Sequence, residues 1–494
     1  MGAIADILVE EGHDVTTLIP VIFPNLTDGT TRSRIIHVQP TKRTLELLDA
    51  TDESNADFFE VPANDFWTNV ARRNNAGALF SGVCKSILNE PGLLESLKNE
   101  SFDVLITENF DVCGIGLSHY IAPKSTVFGS TTYLFGDQYY EAGVPRILSF
   151  DPSPVTSKMN VHSMWDRAVN IVNDIGIRAT YKAIRTSVDA VLKEHFGPDF
   201  PGVYELSSRS AFVFTNNEPL IGVATPTLHR VLDLGGLTLQ EPRPIDEEWN
   251  KILSRRRHNV IFSFGSVTPS SSIKLPTKRN ILEAFRLLPE VTVIWKYEKV
   301  DDDFAVNEVS RVPNVVLSPW IPQNDLLNDS RISLFVTHCG MASTLELAHR
   351  GVPGLFIPLF GDQPRNALML ERNGLGRVFD KAGLKKPKKL AEAIMGIIDD
   401  KKYSDQAKDT ARRLAGKPFS PRELLVKYVA FAAEFGPSSA LRPVSHDMSI
   451  IEYHNIDIVV IFLVLVCSMA ILSMFTVRAI CRFVMRRCGK EKKE

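Results

Sequence analysis

The chain is predicted to be an α/β protein of two Rossmann-like domains facing across a cleft, followed by a transmembrane helix. Three observations predict this. Short apolar runs suited to buried parallel strands alternate with helical patterns in both halves. A stretch at residues 238–246, with LQEPRPID at its core, has linker character. Residues 458–477 carry no charge over twenty positions, enough to cross a bilayer. At 494 residues the chain is too long for one core. The expected parts are a first Rossmann-like domain at 1–237, a linker at 238–247, a second domain with closing helices at 248–445, the span at 458–477 and a basic tail at 478–494.

The elements follow in order. Ile4, Ile7 and Leu8 mark one helix face, Gly12 ends that helix, and residues 14–19 read as a strand. Residues 102–107 form another buried strand, and 167–194 a long amphipathic helix. Strands are expected at 211–215 and 231–236. The second unit begins near Asn259, with a strand at 260–264 and a turn into a helix at Gly265-Ser266, which could touch a diphosphate. Strands at 291–295 and 315–317 come next. Ile332–Thr337 is a strand, His338-Cys339-Gly340 breaks it, and Met341–Arg350 is a helix stopped by Gly351-Val352-Pro353. Residues 354–360 return as a strand, and 403–435 reads as closing helices.

The segment from Trp320 to Gln363 carries the chemistry. Its strand–helix–strand pattern puts His338 and Gly340 at a strand C-terminus and a helix N-terminus, the edge where open α/β sheets bind ligands. Free N–H groups there favour a pyrophosphate. Gly340 permits close approach, and Ser343 and Thr344 offer hydroxyls. Glu346 lies two turns further on and can accept from ribose hydroxyls. Trp320 can stack on a base and Gln323 can bond its edge. Asp362 and Gln363, expected to end the next strand, could hold sugar hydroxyls. Together these residues suit a nucleotide-sugar.

Composition excludes other classes. A net charge of −2 offers no case for nucleic-acid binding. No GxxxxGK[S/T] run occurs, and Gly114-Ile115-Gly116 lacks the third glycine of a dinucleotide loop. The six cysteines, Cys84, Cys113, Cys339, Cys467, Cys481 and Cys488, show neither metal spacing nor disulfide-scaffold density, so thiols are expected and no metal site. Seven basic residues, Arg478, Arg482, Arg486, Arg487, Lys490, Lys492 and Lys493, follow the span and mark its cytoplasmic side; the main body is then luminal. Asn25, Asn99 and Asn328 open N-x-S/T triplets that permit glycosylation there.

The segment resembles the signature of the UDP-glycosyltransferases, specifically the membrane-bound UDP-glucuronosyltransferases of animals. The matching residues are Trp320, Pro322-Gln323, Asp325-Leu326-Leu327, Thr337-His338, Gly340, Glu346, Gly351-Val352-Pro353, Pro358 and Phe360-Gly361-Asp362-Gln363. Residues 262–266, 293–296 and 102–108 extend the resemblance. It departs at Ala342, where many relatives carry Asn or His, and at Lys296, where many carry Arg. The resemblance implies a GT-B fold. It also implies a donor site including Ser266 and Lys296, with UDP-sugar as co-substrate and no cofactor. The expected reaction is transfer of a sugar, glucuronate by preference, to hydroxyls of small lipophilic acceptors. A UDP-glucose-using enzyme, or an inactive isoform acting as a binding or regulatory partner, is the alternative. Membrane lipid and a homo- or hetero-oligomer are possible partners. Lysines three and five places from the end resemble an endoplasmic-reticulum retrieval signal.

In the resembled family a histidine just before the first helix takes the acceptor proton, oriented by an acid that corresponds to Glu108. Here that helix begins at Met1, and His13 lies beyond its other end. The expectation is a chain without signal peptide, first strand or catalytic histidine, with a hydrophobic gap where a central strand would stand.

Overall fold

The computed structural model describes residues 1–22, 27–53, 57–62 and 66–491. The chain divides into two compact units, Met1–Leu441 and Arg442–Glu494.

Among the described residues the first unit holds three parallel sheets. β1 (Thr16–Pro20) pairs with β2 (Arg34–Val38). β3 (Val104–Glu108), β4 (Ser125–Ser130), β5 (Phe212–Thr215) and β6 (Val231–Asp233) form the second, in that order. β1 and β3 are half-buried at every residue, and each keeps one edge without a strand partner among the described residues. Leu18, Ile36 and Leu105 still pack on one shared apolar cluster.

The third sheet contains β7 (His258–Ser263), β8 (Val291–Lys296), β9 (Val315–Ser318), β10 (Ile332–Thr337), β11 (Gly354–Phe356) and β12 (Gly376–Val378). Its order is β12-β11-β10-β7-β8-β9, so the winding reverses between β7 and β10. Side chains alternate between two cores. Val260, Phe262, Val293, Trp295, Leu334 and Val336 lie in one. Ile261, Ile294, Phe335 and Phe356 lie in the other. Burial on both faces explains the unbroken apolar runs.

The helix Pro421–Phe435 packs back on the N-terminal strands. A Ser420–Glu423 capping box starts it. Leu425, Val429 and Ala432 pack with Val127, Phe212 and Phe214. Arg422 reaches Glu10 at 2.8 Å and Glu11 at 2.7 Å.

Several expectations are corrected. The strand expected at 354–360 ends at Phe356, and Pro358, which has no N–H to donate, follows it. The strand expected at 231–236 ends at Asp233, before Gly236 turns left-handed at φ +90°. Gly265-Ser266 does not run into a helix. Gly265 has φ +79°, and the next α-helix starts at Leu275, where Pro276 occupies its first turn. Two expected thiols are a disulfide: Cys84 and Cys113 are bonded inside a buried cluster. Their separation of 29 residues says nothing by itself; packing brings the helices Phe66–Leu88 and Cys113–Ile121 together. Cys339 is a buried free cysteine, and Cys467 and Cys481 are exposed ones.

In the second unit a Ser449–Glu452 capping box starts the short helix Ile450–Tyr453. The helix Ile456–Glu491 follows, and its segment Ile456–Met485 is a candidate membrane span of 30 residues, none of it covered by protein. Asn25, Lys492, Lys493 and Glu494 lie outside the described residues.

Candidate active site

The site lies at the C-terminal edge of the third sheet, where β7 and β10 reverse the winding. After β10 the chain must turn at once into the helix Met341–Arg350. Cys339 takes a left-handed φ of +65° to do so. The His338 ring folds against the loop after β7: a Cβ on Gly265 would lie 2.6 Å from its Cε1, and one on Gly340 2.8 Å from its Nε2. Only glycines leave room for it. Burial, and then the nearby Lys296 charge, push the His338 pKa down to about 4, so the ring is neutral at physiological pH. Its Nδ1 is shielded from solvent and has no hydrogen-bond partner among the described residues.

Three predicted donor residues converge in side-chain contact. Gln323 Nε2 donates to Glu346 Oε2, and also to Ser343 Oγ at 3.2 Å. Burial raises the Glu346 pKa, partly offset by the Gln323 hydrogen bond. Trp320 is 70% exposed, with a ring free to stack, and the Lys296 ammonium lies 5.8 Å from its centroid. Lys296 Nζ donates to Gly265 O at 3.0 Å and to Glu298 Oε1 at 2.9 Å, so its charge is already paired. Ser266 is exposed beside it.

Asp362 and Gln363 do not end a strand. Asp362 is the N-cap of the helix Gln363–Arg372. Its Oδ2 accepts from Asn366 Nδ2 at 2.7 Å, and burial raises its pKa to about 6. Gln363 Oε1 accepts from Leu359 N at 2.8 Å and Phe360 N at 3.1 Å. Its oxygen therefore holds the loop.

Glu108 ends β3. Burial, and then the like charge of Asp111, raise its pKa to about 8. Its Oε2 is buried without a hydrogen-bond partner among the described residues. Tyr133, Phe135 and Tyr181 form an aromatic cluster on which Phe110 and Met341 pack. This cluster joins the loop after Glu108 to the first residue of the helix after His338.

Sequence reasoning missed Asn366, Arg365 and this cluster. Asn366 lies one helical turn after Asp362 and donates also to Cys339 O at 3.0 Å, so helical spacing could have signalled it. Arg365 pairs with Asp151 Oδ1 at 2.9 Å and stacks on the Tyr133 ring at 3.6 Å. A contact 214 residues apart leaves no local signal.

An exposed indole, a carboxylate and a neutral histidine gather at the switch point of a parallel sheet, in the fold of the GT-B glycosyltransferases. The chain belongs to the UDP-glycosyltransferase family: it matches the family described as UDP-glucoronosyl and UDP-glucosyl transferase over residues 1–494. It is similar to the putative UDP-glucuronosyltransferase ugt-48 of Caenorhabditis elegans, at 28% identity over 93% of this chain and 88% of that protein. It is also similar to human UDP-glucuronosyltransferase 1A7, at 25% identity over 100% of this chain and 90% of that one. Solved structures share the fold. Os79 from O. sativa in complex with UDP gives a TM-score of 0.55 at 14% identity, covering 87% of this chain and 96% of that one. The calicheamicin glycosyltransferase CalG4 gives 0.56 at 14%, covering 88% and 94%. The protein is a hexosyl-transferring glycosyltransferase.

Proposed function

We propose that the protein transfers glucuronate from UDP-glucuronate to hydroxyl groups of small lipophilic acceptors. The observation that carries this is the convergence of Trp320, Gln323, Ser343, Glu346, His338 and Asp362 at one sheet edge. The uracil stacks on Trp320, Glu346 takes the ribose hydroxyls, the pyrophosphate lies at His338 and Gly340, and Asp362 with Gln363 takes the sugar. No metal or cofactor takes part. The similarity to UDP-glucuronosyltransferases favours glucuronate. The aromatic cluster of Tyr133, Phe135 and Tyr181 beside Glu108 favours an apolar acceptor.

The test is transfer from UDP-glucuronate and UDP-glucose to a panel of phenols, using membranes that contain the full-length chain. Glucuronide formation well above glucoside formation is expected. A strong preference for UDP-glucose overturns the sugar and keeps the rest. UDP binding without transfer from either donor favours a binding or regulatory partner. The lone buried Oε2 of Glu108 is the observation on that side.

The protein is also proposed to be a single-pass protein of the endoplasmic-reticulum membrane, with its body luminal and residues 478–494 cytosolic. The basic residues after the span support that orientation. The Cys84–Cys113 disulfide supports an oxidising compartment for the body. A glycosidase gel shift that depends on Asn99 is expected; its absence, with the protease-protected fragment containing residues 478–494, would reverse the topology.

A further inference from the structure

The loop that carries Asp362 and Gln363 is gripped by a short segment of the N-terminal half. From within the loop, Gln363 Oε1 accepts from Leu359 N and Phe360 N. From outside it, the helix Asp57–Glu60 makes the contact. The half-buried Phe58 ring stacks on Phe360, with centroids 4.2 Å apart and planes 30° apart. Phe59 is 4% exposed and lies in the core of the third sheet, where it meets Phe264 edge to face at 5.2 Å, one residue before Gly265. The Lys381 ammonium has three hydrogens to donate. It shares them between the two parties: Phe58 O at 2.6 Å and Val61 O on one side, Leu359 O at 3.1 Å on the other. Lys385 adds an ion pair to Glu60 at 2.6 Å. Lys381 and Phe58 are 323 residues apart in sequence, so only packing brings them together.

We infer that Phe58 and Lys381 are positioning residues for the donor's sugar, so that a segment of the N-terminal half sets the shape of a pocket whose hydroxyl partners lie in the C-terminal half. The inference rests on the reading of Asp362 and Gln363 as those partners. Phe360 stands two residues before Asp362, and Gly361 between them has φ +62°. A glycine restrains its neighbours little. The place of Asp362 therefore depends on what holds Phe360 and on its own bond to Asn366. Hydrogen bonds to sugar hydroxyls weaken steeply when misaligned, and a shift of about 1 Å in a positioned group costs up to about a hundredfold in rate. The uridine end of the donor stands on other elements: Gln323 and Glu346 lie on the helices Gln323–Leu327 and Met341–Arg350. Loosening the grip on Phe360 therefore acts on the sugar and spares the uridine. A contact that only adds stability acts on neither.

The test is calorimetric titration of the full-length protein with UDP, UDP-glucuronate and UDP-glucose, alongside its thermal transition. Phe58→Ala and Lys381→Met should leave UDP affinity within about twofold of the parent's and lower the affinity for the preferred sugar nucleotide by about tenfold. Phe58→Tyr keeps the ring and should bind as the parent does. Phe58→Leu keeps apolar volume without the stacked face; it should show the same selective loss, and it carries the test where the alanine chain does not fold. Equal losses for UDP and the sugar nucleotide, or full affinity for both whatever the melting temperature, overturn the inference. A parent that prefers UDP-glucose overturns the glucuronate reading alone, because the selective loss is then read on UDP-glucose. A parent that binds no UDP, or UDP but neither sugar nucleotide, overturns the donor site or its sugar end, and this inference with it.

Discussion

At the scale of single residues, polar groups at the sheet edge are already desolvated and half-paired before any ligand arrives. Glu346 is held by Gln323, and His338 is kept neutral against two glycines. Replacing His338 or Glu346 by alanine should weaken UDP binding by roughly tenfold to a hundredfold, the loss of one contact worth about 1.5–3 kcal/mol. Calorimetric titration with UDP checks this, and unchanged affinity in both variants would misplace the site. Glu108 makes a pH prediction. Its pKa is about 8 in the folded protein against an ordinary 4.5, so the folded state holds a proton that the unfolded chain has released. Stability therefore falls as pH rises from 4.5 to 8. Glu108→Gln removes that contribution, so its melting temperature should rise relative to the parent's between pH 5 and pH 8. Parallel melting curves across that range would deny the burial of this carboxyl.

At the scale of elements, tight turns place the chemistry and packing places the helices. Gly265 takes φ +79° with the His338 ring where a Cβ would be. Gly265→Ala should cost about 1 kcal/mol or more in backbone strain alone. It should also displace the ring and lower UDP affinity, measured by melting and titration on the same preparation. A fall in stability with full affinity would separate the turn from the site. On the closing helix, Leu425 is fully buried among β4 and β5 side chains. Leu425→Ala should cost about 2–5 kcal/mol, and Ser420→Ala about 0.5–2 kcal/mol for the lost cap. Denaturant unfolding should rank them in that order.

At the scale of the whole molecule, the first unit is tied together by buried charge. Arg365, three residues past Asp362, meets Asp151 from the N-terminal half, and both side chains are almost fully buried. Arg365→Ala should cost less than the roughly 3–5 kcal/mol of a fully stranded buried carboxylate, because Tyr139 at 3.0 Å and Arg146 at 3.8 Å still face Asp151. Asp151→Leu combined with Arg365→Met should cost less than the two single changes summed. Additive losses in denaturant unfolding would mean that the pair does not couple the halves. The Cys84–Cys113 bond closes a loop of 29 residues and should add about 3–4 kcal/mol by restricting the unfolded chain. Reduction should lower the melting temperature accordingly.

The sequence by itself determined the strand–turn–helix from Ile332 to Arg350, down to its end residues. Apolar runs, the His338-Cys339-Gly340 break and the Gly351-Val352-Pro353 stop are local signals, and local backbone preferences obey them. The polar residues that gather at that sheet edge, and the apolar run near the C-terminus, were legible for the same reason. Tertiary structure alone decided the rest. Gln323 meets Glu346 because the helices Gln323–Leu327 and Met341–Arg350 converge on one sheet edge. The Cys84 thiol finds Cys113 because two helices share a core. Arg365 is neutralised by a residue 214 positions away. Asp362 stands at the start of a helix where a strand end was expected, because β11 stops at Phe356. Pairings of this kind depend on the approach of distant segments, and that approach is set by the burial of whole faces, which no short window of sequence encodes.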